Sequence, residues 1–375
     1  MMCCRGKGGC HMYKEKWYKK LIKLLILPVA VYMLFFIISR LLQRPTPFGT
    51  GANLETLLMA ACSTIVLAWG ASYNLRSMRF DFSLGALQIL AVVLGTNFGQ
   101  MVYAHTPAGS PWGSVTLLLT TAIFGMILGL IVGAVYVVTK VSPIIVGLAM
   151  ALIYEGIATW FANGVLPYVG AFGSGASIAN DVQTLGLLGS QPWIYVMTAL
   201  AFVFFFVMNH YSVFSFHVNA LAMGQKVGVK MGILEKKNVL MCYAIGGLAA
   251  GYAGALKLMV EASRMPQLSL ATINTLTNAL GPVFIGMFLA KYCEITTSTL
   301  VAGFTFACLN TGLANLMMPA YLQSIATIAF LMVFLGLSMN AERRNINKVL
   351  HRRGVFAQKK LDAMLQGTAA PPTSQ

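Results

Sequence analysis

The stretch RFDFSLGALQILAVVLG, Arg79 to Gly95, places an arginine and an aspartate directly in front of a long apolar run. The chain has only 10 Asp and Glu residues in 375, so an acid at this position is unusual. A helix needs about 20 mainly apolar residues to cross the hydrocarbon of a bilayer, and the run continues far enough to supply them. The stretch therefore predicts a membrane-spanning helix with a carboxylate at its start.

The composition extends this prediction to the whole chain. Hydrophobic residues make up 58% and charged residues 10%, with a mean hydropathy of +0.74, whereas soluble domains carry about 25% charged residues. The alternating ten-residue pattern of outer-membrane barrel strands is not present. We predict an all-α fold, a polytopic transmembrane helical bundle of about 10 spans, placed near residues 21–39, 56–73, 83–103, 114–138, 144–163, 192–209, 239–260, 272–290, 298–316 and 320–340.

The basic residues predict the orientation. With ten spans and a cytoplasmic N-terminus, 22 of the 26 Lys and Arg residues fall on the cytoplasmic side. The predicted organisation is a basic cytoplasmic tail (1–20), a transmembrane domain (21–340) and a basic, partly disordered cytoplasmic tail (341–375). The first span lacks a cleavage pattern and is read as uncleaved. Both tails fit anchors at an anionic lipid surface and not a nucleic-acid site.

Two short segments suggest an internal repeat. RFDFSLGA follows the second predicted span, and RMPQLSLA, starting at Arg264, follows the seventh. Each has an arginine, then Ser-Leu four or five residues later, and leads into a span. Because the second and seventh spans end on opposite sides, the two halves would form an inverted repeat, as in many transporters.

The sequence carries no motif of an enzyme. It lacks the phosphate-binding loop of ATPases, the HExxH motif and the nucleophile elbow, and its Cys and His spacing fits no metal site. We therefore expect no catalytic residue, no metal and no bound cofactor. Lys257 and Glu261 are four apart and predict a local helical pair. Glu155 and Asn278 are the candidates for a substrate path. For Glu155 the reason is that a buried charge in a span faces the bundle or a water-filled route.

The loop between the sixth and seventh spans, about residues 210–238, is the longest one predicted on the cytoplasmic side. Its segment ALAMGQKVGVKMGI, residues 220–233, has three glycines spaced by four, Gly224, Gly228 and Gly232. The pattern is compatible with a short helix on the cytoplasmic face and with an ordinary basic connector. At this point a membrane subunit driven by a separate ATPase and an independent secondary carrier or channel both remain open.

This loop resembles that of bacterial ABC importer permeases of the ribose, xylose and branched-chain amino-acid group. Ala222, Gly224, Gly232 and Ile233 follow the order of their pattern A-x-G-x-N-x-x-A-A-x-x-x-G-I, and the residues from Tyr243 to Gly254 match the following Y-x-x-x-G-x-x-A-G-x-A-G. Their GGIDLSVG is matched by SMRFDFSLG, with Asp81, Ser83 and Gly85 at corresponding places. The resemblance runs over about residues 55–340.

The resemblance has departures. Gln225 stands where Asn is usual, Gly228 and Val229 replace an Ala pair, and Met78 and Arg79 replace the Gly pair before the aspartate. Glu155 occupies a place where the sugar permeases often carry a basic residue. These differences identify a divergent member whose cargo need not be that of the sugar group.

The resemblance implies a non-catalytic permease subunit in the plasma membrane of a bacterium. It implies a coupling loop that docks on an ABC ATP-binding subunit, which binds ATP and Mg²⁺, and it assigns this contact to Ala222, Gly224, Gln225, Gly228, Gly232 and Ile233. It further implies an extracellular or lipoprotein solute-binding protein and a second permease copy, identical or not. Transport would be by alternating access, with a small polar solute, first of all a sugar, as cargo.

For the opening stretch we expect a helix-end motif made of Asp81, Ser83 and Gly85. Asp and Ser are strong helix N-cap residues, and the N–H groups at a helix start cannot be satisfied by lipid. We expect Arg79 to act as the counter-charge of Asp81 and Gly85 to admit another backbone. Direct contact of Asp81 with solute is the alternative.

Overall fold

The computed structural model describes residues 17–42, 48–107, 110–166, 176–177, 186–222, 224, 228, 230–319, 321–337, 339–340 and 343. Ten long helices in these ranges lie at the positions of the ten predicted spans, and one shorter helix, α7, lies in the long loop. They are α1 (Trp17–Leu41), α2 (Gly51–Arg76), α3 (Leu84–Ala104), α4 (Trp112–Thr139), α5 (Pro143–Trp160), α6 (Trp193–Tyr211), α7 (Val213–Ala222), α8 (Glu235–Glu261), α9 (Ile273–Leu289), α10 (Ile295–Asn315) and α11 (Tyr321–Leu337). The all-α helical bundle is confirmed.

Seven helices of the described residues, α1 to α6 and α8, are long and apolar enough to cross a membrane. The other three predicted spans fall short for two reasons. Helices α9 and α11 have 17 residues each, which is about 25 Å at 1.5 Å per residue, less than the hydrocarbon thickness. Helix α10 has 21 residues, but Thr, Ser and Asn residues lower its hydropathy.

Glycines hold α4 against α8 at the centre of the bundle. A Cβ atom built on Gly125 would lie 2.3 Å from the carbonyl oxygen of Gly247, and one on Gly129 would lie 2.3 Å from that of Tyr243. Gly251 faces the same seam, where its Cβ would lie 2.2 Å from the carbonyl oxygen of Thr121. Small residues of this kind let helix backbones approach in lipid, where there is no hydrophobic force between helices.

The outward face of α4 is apolar. Leu119, Ile123, Ile127 and Ile131 recur every four residues and are 43% to 56% exposed. A regular stripe of exposed apolar side chains on a helix of this length fits contact with lipid.

Two residues of the segment after α5 pair with the residues that follow α8. Helix α5 continues into a π-helical turn, Phe161–Val165. Farther along, strand β1 (Ala176–Ser177) pairs antiparallel with β2 (Ser263–Arg264), the segment that directly follows α8. Residues of β2 and of the first turns of α9 line a common pocket.

The chain divides into two compact units, Met1–Ser324 and Ile325–Gln375. The first unit contains α1 to α10, and all candidate site residues lie in it. The described residues of the second unit are helical and include most of α11. Most of the predicted C-terminal tail and residues 1–16 lie outside the described residues.

Candidate functional site

The start of α3 is held by Asp81. Its Oδ1 accepts hydrogen bonds from the backbone N of Ser83 at 2.9 Å and from the Ser83 hydroxyl at 2.7 Å, and Asn74 Nδ2 lies 3.4 Å from Oδ2. The side chain is buried, 4% exposed. Asp81 therefore forms an Asx-type turn directly before the helix, and its expected role as a cap of α3 stays a prediction. Ser83 does not cap the helix with its hydroxyl, since it already has helical φ and ψ and donates to Asp81.

Arg79 does not serve as the counter-charge of Asp81, so that expectation was wrong. Its Nη2 lies 2.6 Å from Oε1 of Glu235, the first residue of α8. The guanidinium also lies over the ring of Tyr136, at 5.7 Å from its centroid. Glu235, at the start of α8, has a carboxylate available to Arg79. The Asp81 oxygens already accept hydrogen bonds from Ser83 and Asn74.

Glu155 holds the start of α9. Its Oε2 accepts from the backbone N of Leu270 at 2.9 Å, and its Oε1 accepts from the backbone N and the hydroxyl of Thr272 at 3.1 and 2.6 Å. Glu155 is 2% exposed. A carboxylate at the N-terminus of a helix satisfies N–H groups that otherwise have no partner and suits the helix dipole.

The turn that Glu155 holds is sharp. Ser269 and Leu270 have positive φ angles of 63° and 61°, which non-glycine residues seldom adopt. Sequence reasoning found Glu155 as a buried acid but missed Thr272 and Leu270 as its partners. The one sequence signal for them is the Ser-Leu pair before α9, which mirrors the Ser-Leu pair before α3.

The starts of α3 and α9 lie against each other. A Cβ atom on Gly85 would lie 2.3 Å from the carbonyl oxygen of Thr272. The expected close approach at Gly85 is confirmed, and the partner backbone is the segment of the second suspected repeat half. The internal repeat itself stays a prediction.

A polar pocket of about 280 Å³ lies where α8, β2 and α9 meet. Glu261 joins two cations in it, with Lys257 Nζ at 3.6 Å and Arg264 Nη1 at 3.1 Å. The predicted local pair of Lys257 and Glu261 is thus present and extended by Arg264. Side chains with amide groups complete the wall, namely Gln267, Asn274 and Asn278.

The two residues predicted for the substrate path have different surroundings. Asn278 lines the polar pocket, and its Oδ1 lies 3.4 Å from Asn310 Nδ2 of α10. Glu155 is not part of that lining; it holds the turn from which α9, the helix carrying Asn278, begins. Contact of either residue with solute stays a prediction.

The loop between α6 and α8 forms a compact unit. Ala220, Leu221 and Ile233 make a small buried cluster. A Cβ on Gly228 would lie 2.6 Å from Leu221 Cδ2, and Gly232 has a φ of +81°, so both positions favour glycine.

Local hydrogen bonds shape the same loop. The backbone N of Gly228 donates to the carbonyl of Gly224 at 3.0 Å, and that of Ile233 donates to the carbonyl of Gly228 at 3.2 Å. Ala222 is the last residue of α7, and Gln225 lies outside the described residues. Local hydrogen bonds therefore join the described residues of the loop, and the choice between a coupling helix and an ordinary connector stays a prediction.

Polar contacts tie α6 to α10 beside this loop. Asn209 Nδ2 donates to the Thr296 hydroxyl at 3.0 Å, and His210 Nδ1 lies 3.7 Å from Glu294 Oε1. Burial raises the pKa of the Glu294 carboxyl, and the neighbouring His210 opposes that shift. The ends of the two helices therefore share a polar contact region.

Comparison with known proteins shows relatives along much of the chain. The galactose/methyl galactoside import permease protein MglC of Escherichia coli K12 is 26% identical over 259 residues, 68% of this chain and 73% of the relative. The ribose import permease protein RbsC of the same strain is 22% identical over 324 residues, 86% of this chain and 95% of the relative. At these identities the chain is similar, as a divergent relative, to sugar ABC import permeases over much of its length. No family model matches it.

A third relative shows that the match does not define one solute. The autoinducer 2 import system permease protein LsrD of Escherichia coli SMS-3-5 is 24% identical over 277 residues, 73% of this chain and 80% of the relative. The three relatives are named for three different solutes. The comparisons therefore show similarity to ABC import permeases but indicate no single solute.

Proposed function

We propose that this chain is the membrane-spanning subunit of an ATP-driven importer and forms the route for a small polar solute, with a sugar as the first candidate. The observation that carries the proposal is the match to import permeases over as much as 86% of the chain. Two of the matching kinds of relative are named for galactose and ribose.

The compact loop between α6 and α8 supports a role in coupling. In the proposal it docks on a separate ATP-binding subunit, which binds ATP and Mg²⁺, and the glycines keep its surface free of side chains that would block the contact. The predicted topology, with both termini and this loop on the cytoplasmic side, is compatible with this role because most of the basic residues then lie inside.

The polar pocket supports a route for a hydroxyl-rich solute. Asn and Gln side chains both donate and accept hydrogen bonds, which is the chemistry that polyhydroxyl ligands need. In the predicted topology the pocket lies at the extracellular ends of α8 and α9, where an extracellular binding protein would deliver cargo. A second permease copy would complete the route.

Alternating access would use the two carboxylate-held helix starts. Asp81 and Glu155 fix the starts of α3 and α9, which touch at Gly85 and Thr272. The ATPase can shift the permease only by binding its two states with different affinity. In the proposal this difference moves the contact between α3 and α9 as the glycine-lined helices repack.

Co-purification tests the proposal against an independent carrier. The permease is expressed with the ATPase and binding protein encoded beside its gene, and the complex is isolated in detergent. We expect a stable complex whose ATP hydrolysis rises when the loaded binding protein is added, and whose permease copies are counted by native mass. Solute uptake by the chain alone in liposomes would contradict the proposal.

The solute is found on the binding protein. Titration of that protein with pentoses, hexoses, nucleosides and amino acids identifies the class that binds. We expect a pentose or hexose to bind most tightly, and tight binding of an amino acid without any sugar binding would refute the sugar assignment.

A further inference from the structure

Two arginines at the end of α2 join both flanks of the coupling loop. Arg76 is the last residue of α2, and Arg79 lies three residues later, just before the Asp81 turn. We infer that these two residues, the arginine clasp, transmit movement of the loop to the start of α3. The inference rests on the proposed function, because it concerns how that transport is driven.

The first arm of the clasp holds the N-terminal flank of the loop. Arg76 Nη1 donates to Asn209 Oδ1 of α6 at 2.8 Å, and its Nη2 donates to Asn219 of α7. Ser215, one turn earlier on α7, lies at 3.5 Å from the same nitrogen. Displacement of α7 therefore acts directly on the end of α2.

The second arm holds the C-terminal flank. Arg79 is 1% exposed and pairs with Glu235, whose side chain is 35% exposed. Glu235 follows the buried loop residue Ile233 by two positions. Displacement of the start of α8 therefore acts on the segment that carries Asp81.

The segment between Arg76 and Arg79 is a tight turn held by hydrogen bonds. The backbone N of Arg79 donates to the carbonyl of Asn74 at 3.0 Å, and the Ser77 hydroxyl donates to the same carbonyl at 2.9 Å. Met78 between them has a positive φ of 59°. The turn cannot extend without breaking these hydrogen bonds. Displacement of Arg76 or Arg79 therefore also displaces Asp81, two residues beyond Arg79.

A purely stabilising role explains the arrangement less well. Burying an arginine is costly, and an apolar pair of similar size often stabilises a core as well or better. Arg79 also stands where the motif of the resembling permeases has glycine. The ion pair thus links the loop to the Asp81 turn through an arginine at a position where that motif has glycine.

The test compares transport with ATP hydrolysis in the full complex. The double variant Arg79→Gln/Glu235→Gln removes both charges together, so neither partner is left as an unpaired buried charge. We expect the number of solute molecules taken up per ATP to fall by a factor between about 2 and about 30, the range for residues that carry coupling. Assembly and basal hydrolysis should stay near wild type.

Three further variants complete the test. Asn219→Ala weakens the first arm without a change of charge and should lower the same ratio. The exchange Arg79→Glu/Glu235→Arg should restore part of the uptake-to-hydrolysis ratio that the double-Gln variant loses. Lys140→Gln is the matched control, because Lys140 lies beside Glu235 in a neighbouring surface pocket but outside the Arg79 pair; its ratio should stay unchanged.

The outcomes separate the clasp from the proposed function. A wild-type uptake-to-hydrolysis ratio in the double-Gln variant overturns the inference. If that variant fails to assemble, the milder Glu235→Asp, which keeps the charge but shortens its reach, decides, and an unchanged ratio there overturns it as well. Absence of ATP-driven uptake in the wild-type complex would instead refute the proposed function itself.

Discussion

Replacement of Glu155 by Gln tests how the start of α9 is held. The amide keeps the size of the side chain but can accept hydrogen bonds at only one of its two terminal atoms. With the oxygen kept toward Thr272, the new NH₂ group faces the backbone N–H of Leu270. The hydrogen bond to the backbone N–H of Leu270 is then lost, and two N–H donors face each other in its place.

The magnitude follows from the three bonds of the carboxylate. A hydrogen bond to a charged group contributes about 1.5–3 kcal/mol, and one to a neutral group contributes about 0.5–1.5 kcal/mol. The variant loses one charged bond and weakens two, while the neutral amide costs less to bury. We expect a net loss of about 2–4 kcal/mol in the free energy of unfolding.

The assay is unfolding of the detergent-solubilised chain by SDS, followed by circular dichroism. Thr272→Val removes one bond and should cost about 1–3 kcal/mol, and the double variant should cost less than the sum because both residues share that bond. Unchanged stability in Glu155→Gln together with a raised KM for uptake would refute this account and favour direct solute contact.

Three other substitutions test separate parts of the structure. Gly125→Ala should cost about 1–3 kcal/mol in the same unfolding assay, because its Cβ meets the Gly247 carbonyl, whereas Gly156→Ala has no atom within 4 Å and should be neutral; equal stabilities would argue against the close seam. Gly228→Arg should insert normally but lose uptake, and normal uptake in membrane vesicles would contradict the coupling role. Asp81→Asn keeps an acceptor for its turn, so assembly and uptake should be near normal; lost uptake with intact assembly would indicate a role for the charge.

The parts of the fold that depend on local pattern could be predicted from the sequence. Apolar runs of span length gave the positions of the helices, and Asp81 was found because its turn partner, Ser83, is two residues away. The close approach at Gly85 was also predictable, since a glycine beside a polar helix start implies a neighbouring backbone. The identity of that neighbour, Thr272, was not.

Contacts between residues far apart in the sequence could not be predicted. Arg79 and Glu235 are 156 residues apart, and Glu155 and Thr272 are 117 apart, so no local spacing marks either pair. Arg79 was assigned to the nearest acid in sequence, although that acid already had partners. The position of α9, Ile273–Leu289, was predicted from hydropathy, but the carboxylate on α5 that holds its start was not.

Solute uptake into sealed vesicles tests directly whether this chain is the membrane subunit of an ATP-driven importer. The extracellular side of the permease must face the outer solution, which inside-out vesicles do not provide. Liposomes that carry the permease with its ATPase are therefore loaded with ATP. The binding protein with bound solute is then added outside. The account predicts that solute accumulates only when the permease, the ATPase, internal ATP and the binding protein are all present. Accumulation with the permease alone, at the same rate with and without ATP, would contradict it.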